Sequence, residues 1–77
     1  MTTSQLHLTF PQGVERERTV ALLRTSFPLQ LNIRRANVDP ELSWIIVELT
    51  GEDDEIERAV TWLLDLGVHV DRIPIDG

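Results

Sequence analysis

Three side chains near the middle of the chain have the chemistry to hold a small molecule: Asn32, Arg34 and Trp44. A guanidinium pairs with a carboxylate through two hydrogen bonds, a carboxamide offers a donor and an acceptor, and an indole covers an apolar group. Together they would suit an amino-acid-like ligand. The alternative is a surface salt bridge between Arg34 and Glu48 on neighbouring strands, worth at most about 1 kcal/mol.

Metal binding and catalysis have less support in the sequence. His7, His69 and Asp71 would form a minimal set of transition-metal ligands if their strands were neighbours in a suitable register, but solvated histidines are the simpler interpretation. We therefore predict no metal and no cofactor. Since no hydroxyl or imidazole has an identifiable acid or base partner along the chain, we also expect a protein that is not an enzyme.

The charge balance argues against nucleic acid as a partner. The chain has a formal net charge of −6, and its seven basic residues are all arginine. Phosphate binding depends on clustered cations, which an acidic chain of this kind does not favour. The arginines concentrate between residues 16 and 35, whereas acids crowd residues 52–57. This segregation suits a partner or a second copy with a complementary patch, although a solvated surface is the simpler explanation.

Length and composition predict one domain, residues 1–77, in the cytoplasm. The chain has no cysteine, which excludes disulfides, thiolate catalysis and cysteine-bound clusters. Its first residues show no basic region followed by an apolar run, and no apolar run reaches about 18 residues, so we expect neither export nor membrane insertion. A core this small leaves a thin stability margin, and self-association would add apolar burial.

The first third of the chain predicts a strand followed by a helix. Leu6, Leu8 and Phe10 have the period-two spacing of a strand with one buried face, which ends at Pro11. Helical spacing then extends from about residue 14 to residue 26. The buried stripe of this helix is predicted to contain Val20, Leu23 and Phe27, flanked by Ala21 and Leu22.

The middle of the chain predicts a hairpin of two strands, residues 29–38 and 44–51. Apolar residues alternate in the first of these strands, at Leu29, Leu31 and Ile33. The second has apolar residues on both faces, as expected of a central strand. Asn37, Asp39 and Pro40 supply turn chemistry between them.

A second helix and a last strand complete the pattern. We expect Thr50 or Asp53 to cap this helix and Gly67 to end it. The predicted buried stripe is Ile56, Ala59, Val60, Leu63 and Leu66, and the last strand extends from Val68 to Pro74. The order strand, helix, strand, strand, helix, strand predicts an α+β ferredoxin-like plait. It has a four-stranded antiparallel sheet with both helices on one face and with the first and third strands central.

The other face of such a sheet has no helix over it. Alternation puts Trp44, Ile46 and Ile73 on that face, among polar side chains. An apolar patch with a polar surround indicates an interaction site, and tryptophan is a common interface anchor. We therefore predict an interface that contains these three residues, with a homodimer as its leading form.

Segments in both halves of the chain resemble the NIL domain, a ferredoxin-like, ACT-like module named after an Asn-Ile-Leu signature on its second strand. The matching segments are Leu31-Asn32-Ile33-Arg34, the LIVELTG-like pattern at residues 45–51, and the helix-to-strand stretch 59–70. Arg34 stands in the position of the signature leucine, and Ser43 in that of a glycine found before the third strand. The resemblance covers about residues 6–73.

The resemblance implies regulation rather than catalysis. At the C-terminus of methionine-importer ATPases, a domain of this family dimerises and binds methionine to inhibit transport; elsewhere it is joined to a small ferredoxin or stands alone. We therefore expect a free-standing, non-enzymatic, dimeric module that senses an amino-acid-like ligand or docks a partner protein. The alternative is a pure adaptor for a redox or transporter partner, without a ligand. An acylphosphatase-like enzyme shares the fold, but residues 11–14 lack the glycines and arginine of its phosphate loop.

Overall fold

The computed structural model describes residues 1–37 and 43–74. The elements in chain order are β1 (Thr2–Phe10), α1 (Arg16–Ser26), β2 (Gln30–Asn37), β3 (Ser43–Gly51), α2 (Asp53–Asp65) and β4 (His69–Ile73). The strands form one antiparallel sheet in the order β2-β3-β1-β4. The predicted ferredoxin-like plait is confirmed, with β1 and β3 in the centre. The predicted turn residues Asp39 and Pro40 lie outside the described residues.

Through the buried part of the central strands, every second residue is apolar and faces the helices, and these residues form the centre of the core. Leu6 and Leu8 of β1 lie opposite Val47 and Ile45 of β3, and all four side chains are almost completely buried. Residues of both helices belong to the same apolar cluster, so both helices cover one face of the sheet. The helix residues buried there are Val20 and Leu23 of α1 and Ile56, Ala59 and Leu63 of α2.

The buried faces of the helices differ from the predicted ones at their margins. Leu66 is 42% exposed because α2 has ended by then, and Val68 is buried in its place. Gly67 takes the left-handed conformation, with φ of +92°, that ends a helix of this kind. On α1, Leu22 is exposed, whereas Thr19 is 5% exposed and its hydroxyl donates to the Glu15 carbonyl at 2.6 Å.

The predicted cap of α2 is wrong. Its N-cap residue is Glu52, whose side chain makes no capping hydrogen bond. Thr50 is still part of β3, where its hydroxyl shares a hydrogen bond of 2.9 Å with the Thr3 hydroxyl of β1. Asp53 is already the first helical residue, and its carboxylate lies in the first turn, where the helix dipole favours negative charge.

A bulge interrupts β2 at Arg34. Ile33 pairs with Val47 and Arg35 pairs with Ile46, so β2 has one more residue than β3 between these two pairs. The extra residue reverses the alternation that follows it. Arg35 therefore faces the side of the sheet without helices, whereas Ala36 faces the helix side. Without the bulge, regular alternation would put the two residues on the opposite sides.

Among the described residues, no helix combines the length and the apolar character needed to cross a membrane.

Candidate functional site: the open face of the sheet

The side of the sheet without helices, called the open face below, consists of three cross-strand rows. Each row takes one residue from β2, β3, β1 and β4 in that order. The rows are Asn37–Trp44–Thr9–His69, Arg35–Ile46–His7–Asp71 and Asn32–Glu48–Gln5–Ile73. The first two rows each have one apolar residue, on the central strand β3, and polar residues at the other positions, whereas the third has its apolar residue at the β4 edge.

Trp44 stacks on an aromatic neighbour of the open face. Its ring lies against that of His7 of the neighbouring row, with centroids 5.1 Å apart and planes inclined by 27°. The His7 Nδ1 in turn lies 3.5 Å from the Thr9 hydroxyl. The indole is half-buried, as is Ile46 beside it. Two stacked aromatic rings thus lie on the central strands of the open face.

Ile73 shares the open face but is separated from the aromatic centre. It lies on the edge strand β4 opposite Gln5, whereas Ile46 lies on β3 opposite His7. The two isoleucines are therefore two strands and one row apart. The predicted interface residues occupy one face, with polar side chains between them.

Asn32 and Arg34 lie together at the β2 edge, next to Glu48. Asn32 is the direct cross-strand partner of Glu48, and the Arg34 Nη1 lies 3.5 Å from the Glu48 Oε1. The two charged side chains are 59% and 25% exposed, which makes this a weak surface ion pair of about 0–1 kcal/mol. The salt bridge considered above as the alternative to a ligand site is thus present.

Trp44 does not lie beside this pair within one chain. It is four residues from Glu48 along β3, which is about 13 Å in an extended strand, and Ile46 lies between them. The structure therefore brings Asn32 and Arg34 together with Glu48, and Trp44 together with His7.

The histidines of the open face do not form a metal centre with the acids around them. His7 lies opposite Asp71, and His69 lies in the adjacent row opposite Thr9. Within residues 1–37 and 43–74, no group of three or more histidine, cysteine, aspartate or glutamate side chains is arranged to hold an ion.

The sequence pointed to His7 only as a candidate metal ligand, and it did not single out Arg35. His7 is the direct support of the Trp44 ring, and the period-two pattern of β1 already put it on the same face. Arg35 reaches the open face only through the bulge, for which the residues of β2 give no signal.

The topology and the helix-free face put the chain among the ferredoxin-like α+β domains. Residues 4–72 match the family model of the NIL domain. Since this match spans nearly the whole chain, the protein belongs to the NIL domain family. Among curated proteins, none matches this chain. NIL domains are regulatory rather than catalytic, and the chain is accordingly a regulatory or binding module.

Proposed function

We propose that this chain is a cytoplasmic, non-enzymatic module that dimerises through its open face and holds an amino-acid-like ligand between the two copies. The observation that carries the proposal is the Trp44 ring, stacked on His7 beside Ile46 on a face that no described helix covers. An aromatic and aliphatic centre among polar side chains has the composition of a protein interface.

The geometry of β3 supports a symmetric dimer. Trp44 and Glu48 are each two residues from Ile46, on opposite sides of it. A two-fold axis over Ile46, parallel to the sheet and perpendicular to β3, would therefore bring Trp44 of one copy opposite Glu48 of the other. Face-to-face sheets pack about 10 Å apart, a distance that an indole can span. The ligand site proposed here would thus be complete only in the dimer.

Arg34 is well suited to receive the carboxylate of the ligand. Its contact with Glu48 is weak and partly solvated, so a ligand carboxylate would displace Glu48 at small cost. Two parallel hydrogen bonds to a guanidinium are stronger than a single one at 3.5 Å. Asn32 would meet the amino group, and Trp44 of the second copy would cover the apolar side chain of the ligand.

Light scattering tests the dimer. We expect wild type to be dimeric and Trp44→Asp to be monomeric, because a carboxylate buried at the centre of an interface is left without a partner. Leu64→Asp is the matched control, since Leu64 is 54% exposed on α2, away from the open face. A wild-type protein that is monomeric at high concentration would refute the dimer. So would a Trp44→Asp variant that stays dimeric.

Calorimetry with a panel of amino acids, followed by complementation, tests the shared site. Arg34→Ala and Trp44→Ala should each abolish binding of any amino acid that wild type takes up. Mixing the two variants should restore about one quarter of the sites, because half of the reassorted dimers are mixed and each has one intact site of two. If the mixture binds no better than either variant, the site is not shared. If no amino acid gives heat with wild type, the ligand part of the proposal fails and a protein adaptor takes its place.

A further inference from the structure

A groove lies on the other side of β2, between this strand and α1. Its volume is about 380 Å³. The floor is apolar, and arginines stand at both ends of the rim. The residues that line it are Val20, Ala21, Ile33, Ala36 and Ile45 on the floor, with Arg16, Glu17 and Arg24 on the rim.

The bulge in β2 creates this floor. Because Arg34 is an extra residue, Ile33 and Ala36 both face the helix side although they are three positions apart. Ile33 is 46% exposed there, since β2 is an edge strand of the sheet that the described residues form. An apolar groove is thus continuous with a strand edge whose outer backbone groups pair with none of the described strands.

The charge around the groove is opposite to that of the protein as a whole. The chain has a net charge of −6, yet Arg16 and Arg24 stand at this groove with one acid, Glu17. Arg34 and Arg35 add positive charge to β2 itself, on its open-face side. Arg16 donates from Nη1 to the Asn37 carbonyl at 3.1 Å, which leaves its other N–H groups available. Arg24 has no acidic partner within 4 Å among the described residues.

The same charges determine what can pair with the edge. A second β2 strand, aligned on the first, would set two cationic strands side by side, which is unfavourable. An acidic strand would meet complementary charge along its whole length. The arginines therefore select against self-pairing and for an acidic occupant.

We propose that β2 and the groove bind an extended acidic segment of a partner protein, which adds to the sheet as a fifth strand. Arg16 and Arg24 are eight residues apart on α1, about 12 Å along the helix axis. Residues four apart in a strand are about 13 Å apart and face the same side. The segment thus has the pattern acid-x-apolar-x-acid, with its acids at the two arginines and its apolar residue over Ile33 and Ala36. This site is on the opposite face of the sheet from the proposed ligand site and does not depend on it.

Fluorescence anisotropy with a labelled peptide of sequence Thr-Glu-Thr-Val-Thr-Glu-Thr tests the proposal. We expect saturable binding that is lost when both glutamates are replaced by glutamine. Arg24→Glu should weaken binding about tenfold or more, whereas Arg58→Glu, an equal change of charge on α2, should leave it within about twofold. A peptide with lysine in place of glutamate should prefer the Arg24→Glu variant to wild type. Melting curves establish that both variants are folded.

Backbone methylation of the peptide tests strand addition separately from charge. N-methyl groups on alternate residues block hydrogen bonds along one edge of the peptide only. We expect one methylated form to lose binding and the form methylated on the other residues to keep it. Equal binding by the two forms would overturn strand addition. Equal binding by the glutamine peptide, an Arg24→Glu variant with wild-type affinity, or no saturation up to about 1 mM peptide would overturn the proposal as a whole.

Discussion

Replacing Gly51 by alanine should destabilise the protein through one identifiable contact. Gly51 is the last residue of β3. It also ends the LIVELTG-like segment by which the third strand resembles NIL domains. A methyl group at this position would lie 2.5 Å from the Leu29 Cδ2 and 3.4 Å from the Pro28 carbonyl oxygen. Carbon atoms attract at about 3.5–4.0 Å, so the first of these contacts is a clash.

The size of the effect follows from two opposing contributions. An extra methyl group in a packed region costs about 1–3 kcal/mol. The alanine also restricts the unfolded chain, which stabilises the folded state by about 0.4–1 kcal/mol. We therefore expect Gly51→Ala to lower the free energy of unfolding by up to about 2.5 kcal/mol, with about 4–8 °C in melting temperature for each kcal/mol.

A double-mutant cycle with Leu29→Ala isolates the clash. In that background the Leu29 methyl group is absent, so Gly51→Ala should stabilise the protein by about 0.4–1 kcal/mol, and the coupling energy should equal the clash, about 1–3 kcal/mol. Urea unfolding of the wild type, the two single variants and the double variant gives the four free energies of unfolding that the cycle needs.

Gly67 provides the matched control. A methyl group there meets nothing within 4 Å, and φ of +92° makes the cost purely conformational, about 1 kcal/mol. Gly67→Ala should therefore be additive with Leu29→Ala. If the Gly51 variant is additive with Leu29→Ala as well, the steric explanation of the Gly51 position is wrong.

Other predictions concern the core and the surface. Leu63→Ala removes a fully buried side chain of α2 and should cost about 2–5 kcal/mol in urea unfolding. Thr19→Ala should cost about 1 kcal/mol because the hydroxyl is hydrogen-bonded in a buried place, whereas Thr25→Ala, which removes a similar bond at an exposed position, should cost less than about half of that. Glu57→Gln breaks an exposed ion pair with Arg72 and should cost at most about 1 kcal/mol, an effect that disappears in high salt if the reasoning holds.

The sequence predicted the central strands well because their apolar and polar residues alternate in a way that allows only one face to be buried. Leu6 and Leu8 of β1 must face the helices together, since a shift by one residue would expose both. The same constraint acts on Val47 of β3, which is fully buried. Two strongly patterned strands and two helices were sufficient to predict the plait.

Predictions failed where the local sequence is compatible with more than one backbone conformation. Thr50 has the residue type of a helix cap, but β1 offers its hydroxyl a partner in Thr3, and the strand extends past it. Leu66 continues the spacing of α2, but the chain turns at Gly67 and Val68 reaches the core first. In each case a tertiary contact decided between two locally acceptable conformations.

The sequence predicted on which face of the sheet the site residues lie, but not which of them are neighbours on that face. Period two correctly assigned Trp44 and Asn32 to the open face, yet it cannot show that two rows separate them, because that distance depends on the register of β2 against β3. The bulge at Arg34 is equally invisible in the residues of that strand. Rows and bulges depend on how two strands pair. The residues of one strand alone do not determine that pairing.

The extra residue in β2 also makes one position of the strand dispensable. Without Arg34, Ile33 and Arg35 would follow each other in regular alternation and keep their present partners, Val47 and Ile46. Deleting this one codon would therefore spare every cross-strand pair of β2 with β3. The sheet has room for one residue more or one residue fewer at this point without a change of register. The position that resembles the third letter of the NIL signature is thus the one at which β2 departs from regular pairing.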